Sequence, residues 1–381
     1  MALELHYGNA VSGAQRFARP DLEERFMRTL MKSNGIKMFG LRRIGKSTLR
    51  QYAIEQFQSA GTPYAFFNGE GLNSLSDFLA GWLGAMPNRK DFLAKTLDVV
   101  GKSPAKNVLD ALTNGTPFEE TSLEAYWQIV AQAIGRANKE GTPPILIIDE
   151  FSTFMHNLIN KHGAEKADRL LASMREWRGV GVRMLLTGSI GMKALSRQHG
   201  LNSEHLNDLQ PFPVPELTEE EAREFVRQAT DSAGWTTEHT NEFLKQSGVF
   251  YPCFLVKGLL EVGNKAEPAD FAKIFSERVR PHMHADFFNQ FDRRFKAYSG
   301  LAANRREELL LPAMKAVMAV ESCRGENLPC AAAFDRIDLM EAMEMLVEDG
   351  FVDFTEDADY ERHWKAGSRL AKNWWKRSGL A

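Results

Sequence analysis

The residues with the clearest chemical potential lie near the N-terminus, in the run GLRRIGKS at positions 40–47. This run fits the pattern G-x-x-x-x-G-K-[ST], in which glycines allow backbone N–H groups to converge on phosphate oxygens at the start of a helix. In that pattern Lys46 contacts the β and γ phosphates, and Ser47 ligates magnesium. The residues predicted to bind the phosphates are Gly40, Leu41, Arg42, Arg43, Ile44, Gly45, Lys46, Ser47 and Thr48.

Two carboxylates form the second candidate group. The run ILIIDE ends in Asp149 and Glu150, and an apolar strand would deliver both to the carboxyl edge of a sheet, where ligands bind in open α/β folds. Asp149 would hold magnesium through water, and Glu150 would orient or deprotonate the attacking water. In the run MLLTGS, the hydroxyls of Thr187 and Ser189 could report the presence of the γ phosphate, although a plain strand-to-turn interpretation stays open.

These groups need a sheet that brings them to one edge, and the N-terminal half of the chain has the pattern of such a sheet. Short apolar runs alternate with longer helical patterns, which is typical of parallel strands joined by helical crossovers. The sequence therefore predicts an α/β P-loop NTPase core with flanking helices. Residues 70–142 are expected to be helices inserted in that core. The predicted strands lie at 35–40, 63–68, 144–150, 182–188 and 209–214.

After residue 215 the pattern becomes helical. Thr218 followed by Glu221 is a capping-box pattern that opens an amphipathic helix. The last ninety residues combine helical patterns with a short hairpin, the layout of a winged helix. Three domains are expected: a P-loop ATPase core at 1–215, a helical lid at 216–290 and a winged-helix-like domain at 291–381.

Composition excludes several classes of function. The formal charge of −3 provides no overall positive field, so binding to nucleic acid would need a local patch. Three cysteines without metal-ligand spacing suit a reducing compartment. Without a membrane-length apolar run, we expect a cytoplasmic protein with no membrane partner. The absence of a G-x-S-x-G elbow removes support for a hydrolase of esters or peptides.

With these motifs in place, the chain resembles the AAA+-related ATPases of the STAND class, especially the archaeal-type ATPases found in archaea and bacteria. The similarity is carried by GLRRIGKSTL, ILIIDEF and MLLTGS, and it extends to RFARPDLEERF, similar to the family's F-x-x-R-x-x-E-L start. That resemblance implies that Phe17 and Arg19 lie near the adenine. The segment QSGVFYPCFLVKGLLE resembles the family's G-G-x-P-x-x-L lid segment, which implies that Pro252 closes over the nucleotide.

The resemblance also implies cofactors and partners. It favours ATP with Mg2+ over GTP, because nothing here resembles the N-K-x-D guanine signature. It implies a molecular switch that binds ATP or ADP and controls homo-oligomer assembly or a separately encoded effector protein. An arginine from a neighbouring subunit would neutralise γ-phosphate charge, with Arg178 or Arg175 as candidates; a solvated amphipathic helix is the alternative for this segment.

A DNA-associated ATPase of the replication-initiator or transposition type is the main alternative, with the winged helix on duplex DNA. The helix in the recognition position, DRIDLMEAMEMLVEDG, is strongly acidic and would be repelled by phosphates. Basic residues in FDRRFK, NRREE and the last helix could form a DNA-binding patch or pair with that acidic helix. A third possibility, a nucleotide-holding scaffold without turnover, is disfavoured by the intact Lys46, Asp149 and Glu150.

Overall fold

A computed structural model describes residues 3–380 except 4, 9–10, 117, 140–142, 190, 284–286, 303 and 360. The chain divides into two compact units. The sheet unit comprises Asp21–Phe39 and Tyr52–Phe212, and the C-terminal unit comprises Met1–Pro20, Gly40–Gln51 and Pro213–Ala381. The threefold domain division expected from the sequence stays a prediction.

A five-stranded parallel sheet forms the centre of the sheet unit, in the order β2-β3-β4-β1-β5. Because β4 pairs with both β1 and β3, the carboxyl ends of these three strands lie at one edge. The predicted α/β fold is confirmed. The strands are β1 Gly35–Phe39, β2 Tyr64–Asn68, β3 Ile145–Asp149, β4 Met184–Gly188 and β5 Gln210–Pro211.

The central strands β3 and β4 are apolar along most of their length and buried almost throughout. Such continuous apolar runs are what a parallel sheet covered by helices on both faces requires. Among the described residues, every helix is too short or too polar to cross a bilayer. The first nine helices are α1 Pro20–Lys32, α2 Lys46–Ala60, α3 Leu75–Ala85, α4 Arg89–Val100, α5 Ala105–Asn114, α6 Glu120–Lys139, α7 Phe151–His162, α8 Ala164–Gly179 and α9 Met192–His199.

The segment between β2 and β3 is helical, as expected, and shares one hydrophobic core with the strands. Trp82 and Trp177 pack with ring centroids 4.6 Å apart. The indole N–H of Trp127 donates to Ser173 Oγ at 3.0 Å, and that of Trp177 to the Ala131 carbonyl at 2.9 Å. These bonds satisfy polar atoms that burial would otherwise leave without a partner.

Helices α10–α15 begin the C-terminal part of the other unit. The predicted capping box opens α10: Glu221 N–H donates to Thr218 Oγ1 at 3.1 Å, and Thr218 N–H donates to Glu221 Oε2 at 2.9 Å. The turn Phe275–Val279 is wound as a π-helix. The helices are α10 Glu219–Ala229, α11 Thr237–Ser247, α12 Pro252–Val262, α13 Pro268–Ile274, α14 Arg280–Met283 and α15 Asn289–Ala297.

A small antiparallel sheet in the order β6-β8-β7 lies in the last part of the C-terminal unit, and it fits the expected winged-helix-like domain. The two-residue β6 is too short to leave a sequence pattern. Trp374 stacks on Phe291 with centroids 5.4 Å apart, and Leu370 and Trp375 are buried. The elements are α16 Leu311–Ala319, β6 Cys323–Arg324, α17 Arg336–Glu348, β7 Val352–Glu356, β8 Arg362–Ala366 and α18 Arg369–Arg377.

Candidate active site

The phosphate loop begins at Gly40, directly after β1, and ends where α2 starts at Lys46. Its backbone adopts positive φ at Gly40 (137°), Arg43 (65°) and Gly45 (112°). Glycine reaches this region without steric cost, but Arg43 does not. A left-handed conformation at a non-glycine residue concentrates at functional sites, where surrounding contacts hold it. The loop therefore has the strained backbone expected of the predicted phosphate-binding turn.

Lys46 is buried, and its ammonium group is held by the loop itself. Nζ donates to the carbonyl oxygens of Leu41 at 2.7 Å and Gly40 at 3.0 Å. An ammonium group has three donors and is a mobile point charge on a flexible stem. The lysine thus lies at the loop, as the motif requires, with carbonyl oxygens in the places that phosphate oxygens could take.

The peptide groups on both sides of Arg42 are bonded by side chains that sequence analysis missed. The Arg42 N–H donates to Gln290 Oε1 at 2.9 Å, and the Tyr251 hydroxyl donates to the Arg42 carbonyl. Burial raises the pKa of Tyr251 well above its usual value, which keeps this hydroxyl protonated as a donor. Tyr251 directly precedes Pro252, the residue predicted to close over the nucleotide, so its proximity to the loop could have been predicted. No sequence pattern marks Gln290.

The end of α17 packs against the same loop. Gly350, with φ 77°, lies so close to Leu41 that a Cβ there would come 2.9 Å from Leu41 Cγ. A Cβ on Gly40 would lie 3.5 Å from the Glu348 carbonyl oxygen. The loop therefore contacts Tyr251, Gln290 of α15 and the residues at the end of α17, all within the C-terminal unit.

The residues expected near the adenine make other contacts. Phe17 packs edge-on against Phe225, with centroids 5.4 Å apart. Arg19 forms an ion pair with Glu221 at 2.9 Å and donates to the Pro215 and Glu216 carbonyls. Pro252 is the first residue of α12, where its missing N–H costs nothing. Their roles at a nucleotide remain predictions.

In the sheet unit, each candidate carboxylate receives a hydroxyl from β4 or the residue after it. Thr187, fully buried, donates to Asp149 Oδ1, and Ser189 donates to Glu150 Oε2 at 3.0 Å. A third hydroxyl, that of Thr153 on α7, also donates to Glu150 Oε2 at 3.0 Å. The structure thus unites Asp149, Glu150, Thr187 and Ser189 and adds Thr153, whose spacing of three residues from Glu150 was the available signal.

Close backbone packing fixes this arrangement. A Cβ on Gly188 would lie 2.2 Å from Ser152 Oγ, so β4 and the start of α7 can approach this closely only because residue 188 is glycine. The Gly69 N–H, after β2, donates to the Asp149 carbonyl at 2.8 Å. Glu150 itself adopts φ 49° and ψ 36°. The acidic pair is held by three neighbouring segments of the sheet edge.

Arg178 has a placement that does not suit its predicted role. Its side chain is fully buried and bonds Asp208 within the sheet unit. Because an arginine that acts on a neighbouring subunit must be exposed, this placement favours Arg175 over Arg178 for that predicted role. Arg175, one helical turn earlier on α8, is exposed.

The chain has the fold of a P-loop NTPase core: a parallel sheet in which the phosphate loop follows β1 and the acidic pair lies at the end of β3. It is similar to the Walker-type ATPase of Pyrococcus abyssi, with a TM-score of 0.54 and 14% identity over 95% of this chain and 96% of that chain. This likeness concerns the fold alone. The STAND class implied by the resemblance stays a prediction.

Two further solved structures are similar to a lesser degree. The ORC2 protein of Aeropyrum pernix, solved with ADPNP and ADP, gives a TM-score of 0.42 at 13% identity over 95% of this chain and 93% of that one. Cdc6p of Pyrobaculum aerophilum gives 0.40 at 10% identity over 96% and 97%. The fold assignment rests on the first structure and not on these. No protein-family model and no curated protein matches the sequence.

Proposed function

We propose that the protein binds Mg-ATP and hydrolyses it slowly, as a nucleotide-dependent switch that controls its assembly or a partner protein. One observation carries the proposal: the strand that precedes the loop GLRRIGKS and the strand that ends in Asp149 both flank β4 in one parallel sheet. Parallel strands bind ligands at their carboxyl ends. The loop follows β1 directly, and the carboxylate pair lies at the end of β3; phosphoryl transfer requires both a phosphate loop and such carboxylates.

The residues present fit the implied groups. Helix α2 begins at Lys46 and has no acidic residue in its first turn, so its N-terminal N–H groups suit a phosphate. Ser47 and Asp149 supply the hydroxyl and carboxylate oxygens that Mg2+ prefers. The bound ion would neutralise charge on the phosphates. Lys46 would exchange its carbonyl partners for phosphate oxygens, and Glu150 would orient the attacking water and accept its proton.

The charges of the tail favour a protein partner over duplex DNA. Arg305 pairs with Asp338 of α17 at 2.5 Å, and Arg362 pairs with Glu344 of the same helix at 3.3 Å. Basic residues that could have formed a phosphate-binding patch are thus partly neutralised by the acidic helix. A DNA-binding surface draws its affinity from such cations.

The test is steady-state ATP hydrolysis by the purified chain, with and without duplex DNA at low salt. We expect slow turnover that is abolished in Lys46→Ala, retained in the exposed control Lys265→Ala, and indifferent to DNA. Equal rates in the wild type and Lys46→Ala would contradict the proposal. Stimulation by DNA that fades with salt would overturn its protein-directed part alone and support the DNA-associated alternative.

A further inference from the structure

Glu150 stands at the N-cap of α7, yet its carboxylate does not cap the helix. N-cap side chains ordinarily accept from backbone N–H groups of the first turn. Here the carboxylate is held by two hydroxyls instead, Thr153 Oγ1 and Ser189 Oγ, each 3.0 Å from Oε2. The side chain is thus diverted from the usual use of this position.

The two hydroxyls belong to separate segments of the sheet unit. Thr153 lies in the first turn of α7 between the fully buried Phe151 and Phe154, and Ser189 directly follows β4. Hydrogen bonds to a charged acceptor are stronger than those between neutral groups. Two donors from separate elements therefore fix the direction of the Glu150 carboxylate.

The two bonds also distinguish the carboxylate oxygens. Among the described residues, both hydrogen bonds to the Glu150 carboxylate fall on Oε2 and none on Oε1. We infer that Thr153 is a positioning residue: with Ser189 it anchors Oε2, so that Oε1 is the oxygen that accepts the proton of the attacking water. This inference rests on the proposed ATP hydrolysis, in which Glu150 is the base.

The experiment compares Thr153→Val, which keeps the branched shape but removes the hydroxyl, with Thr153→Ser, which keeps the hydroxyl. Loss of one bond to the charged carboxylate should lower kcat about 10-fold in the valine variant. The Kd for ATP and the melting temperature should stay close to wild type, because among the described residues the Thr153 hydroxyl bonds only Glu150. The serine variant should recover turnover.

A second background separates positioning from general packing. In Glu150→Gln, the Thr153→Val change should alter residual turnover by less than about twofold, because a residue that acts only through Glu150 has nothing left to position. If Thr153→Val does not fold, Thr153→Ala carries the same comparison. An equal loss in both backgrounds, or a loss that follows the melting temperature, would overturn the inference.

Failure of the proposed function gives a different result. If the wild type and Lys46→Ala hydrolyse ATP equally, both the ATPase proposal and the positioning role fall. If the wild type is active, Glu150→Gln retains only residual turnover and Thr153→Val matches the wild type, the positioning role alone is wrong.

Discussion

Arg178 and Asp208 form a two-point ion pair in the sheet unit, with Nε–Oδ2 at 2.8 Å and Nη2–Oδ1 at 2.7 Å. The Arg178 side chain is 0% exposed, and its Nη2 also donates to the His205 carbonyl. Paired bonds of this kind fix both planar groups in one orientation. The guanidinium therefore serves to join α8 to the segment that precedes β5.

Removing one partner of this pair should destabilise the protein strongly. Asp208→Asn leaves the buried Arg178 charge without its counter-ion, which should lower the free energy of unfolding by about 3 kcal/mol. Urea unfolding measures this change. The matched control is Arg169→Ala, which breaks an exposed pair with Glu165 on the same helix and should cost less than about 1 kcal/mol. Similar losses in both variants would contradict the burial argument.

The same pair should make stability depend on pH in acid. Burial alone would raise the pKa of Asp208, but the hydrogen bonds and charge of Arg178 outweigh it and hold that pKa below its ordinary value. A carboxylate whose pKa is depressed by folding contributes stability above its unfolded pKa, near 4 for aspartate, and loses it as pH falls through the folded pKa. Below about pH 4, the free energy of unfolding should therefore fall less steeply with decreasing pH in Asp208→Asn than in the wild type. Parallel curves for the two proteins would contradict this prediction.

The contact between Gln290 and the phosphate loop should reduce nucleotide affinity. Because Gln290 occupies the Arg42 N–H, Gln290→Ala should free the loop and lower the Kd for ATP about fivefold, the effect of one hydrogen bond worth about 1 kcal/mol. Calorimetric titration checks this. Gln56→Ala, at an exposed site of α2, should leave the Kd unchanged. Weaker binding in Gln290→Ala would show that the contact supports the binding conformation instead.

Gly188 should tolerate no side chain. In Gly188→Ala the new Cβ would meet Ser152 Oγ at 2.2 Å, and the overpacking should cost about 2–3 kcal/mol. Ser152→Ala should restore part of this loss in the double variant, because it removes the nearest atom. Gly84→Ala, in an exposed helix position with open space, should be neutral or stabilising. Thermal unfolding of the four variants measures these changes in stability. If the losses of Gly188→Ala and Ser152→Ala simply add in the double variant, the steric explanation is wrong.

Arg175 should act across subunits if assembly accompanies hydrolysis. It is exposed on α8, unlike Arg178. Arg175→Ala should then lower kcat about 100-fold or more. A mixture of Arg175→Ala with Lys46→Ala should exceed the summed activity of the two, since one variant retains the loop and the other the arginine. No recovery on mixing, with Arg175→Ala fully active, would remove the arginine from the mechanism.

The parts of the fold and site set by local patterns were predictable. The loop at 40–47, the buried runs that became β1–β4 and the Thr218–Glu221 capping box each depend on residues a few positions apart. The remainder depends on distant partners: Arg178 meets Asp208, and Arg42 meets Gln290, 248 positions away. An arginine gives the same sequence pattern whether it is buried against a partner or exposed to water. The burial of Arg178 could therefore not be predicted from the sequence.

The strand order has a consequence for folding during synthesis of the chain. β1 pairs with residues 184–188 and 210–211, so the strand before the phosphate loop has no sheet neighbour until the ribosome has added most of the sheet unit. Contacts so distant in sequence slow folding, whereas the hairpin of β7 and β8 closes over a few residues. During synthesis an apolar strand and its glycine-rich turn would thus wait exposed, which makes this segment a natural target for chaperones.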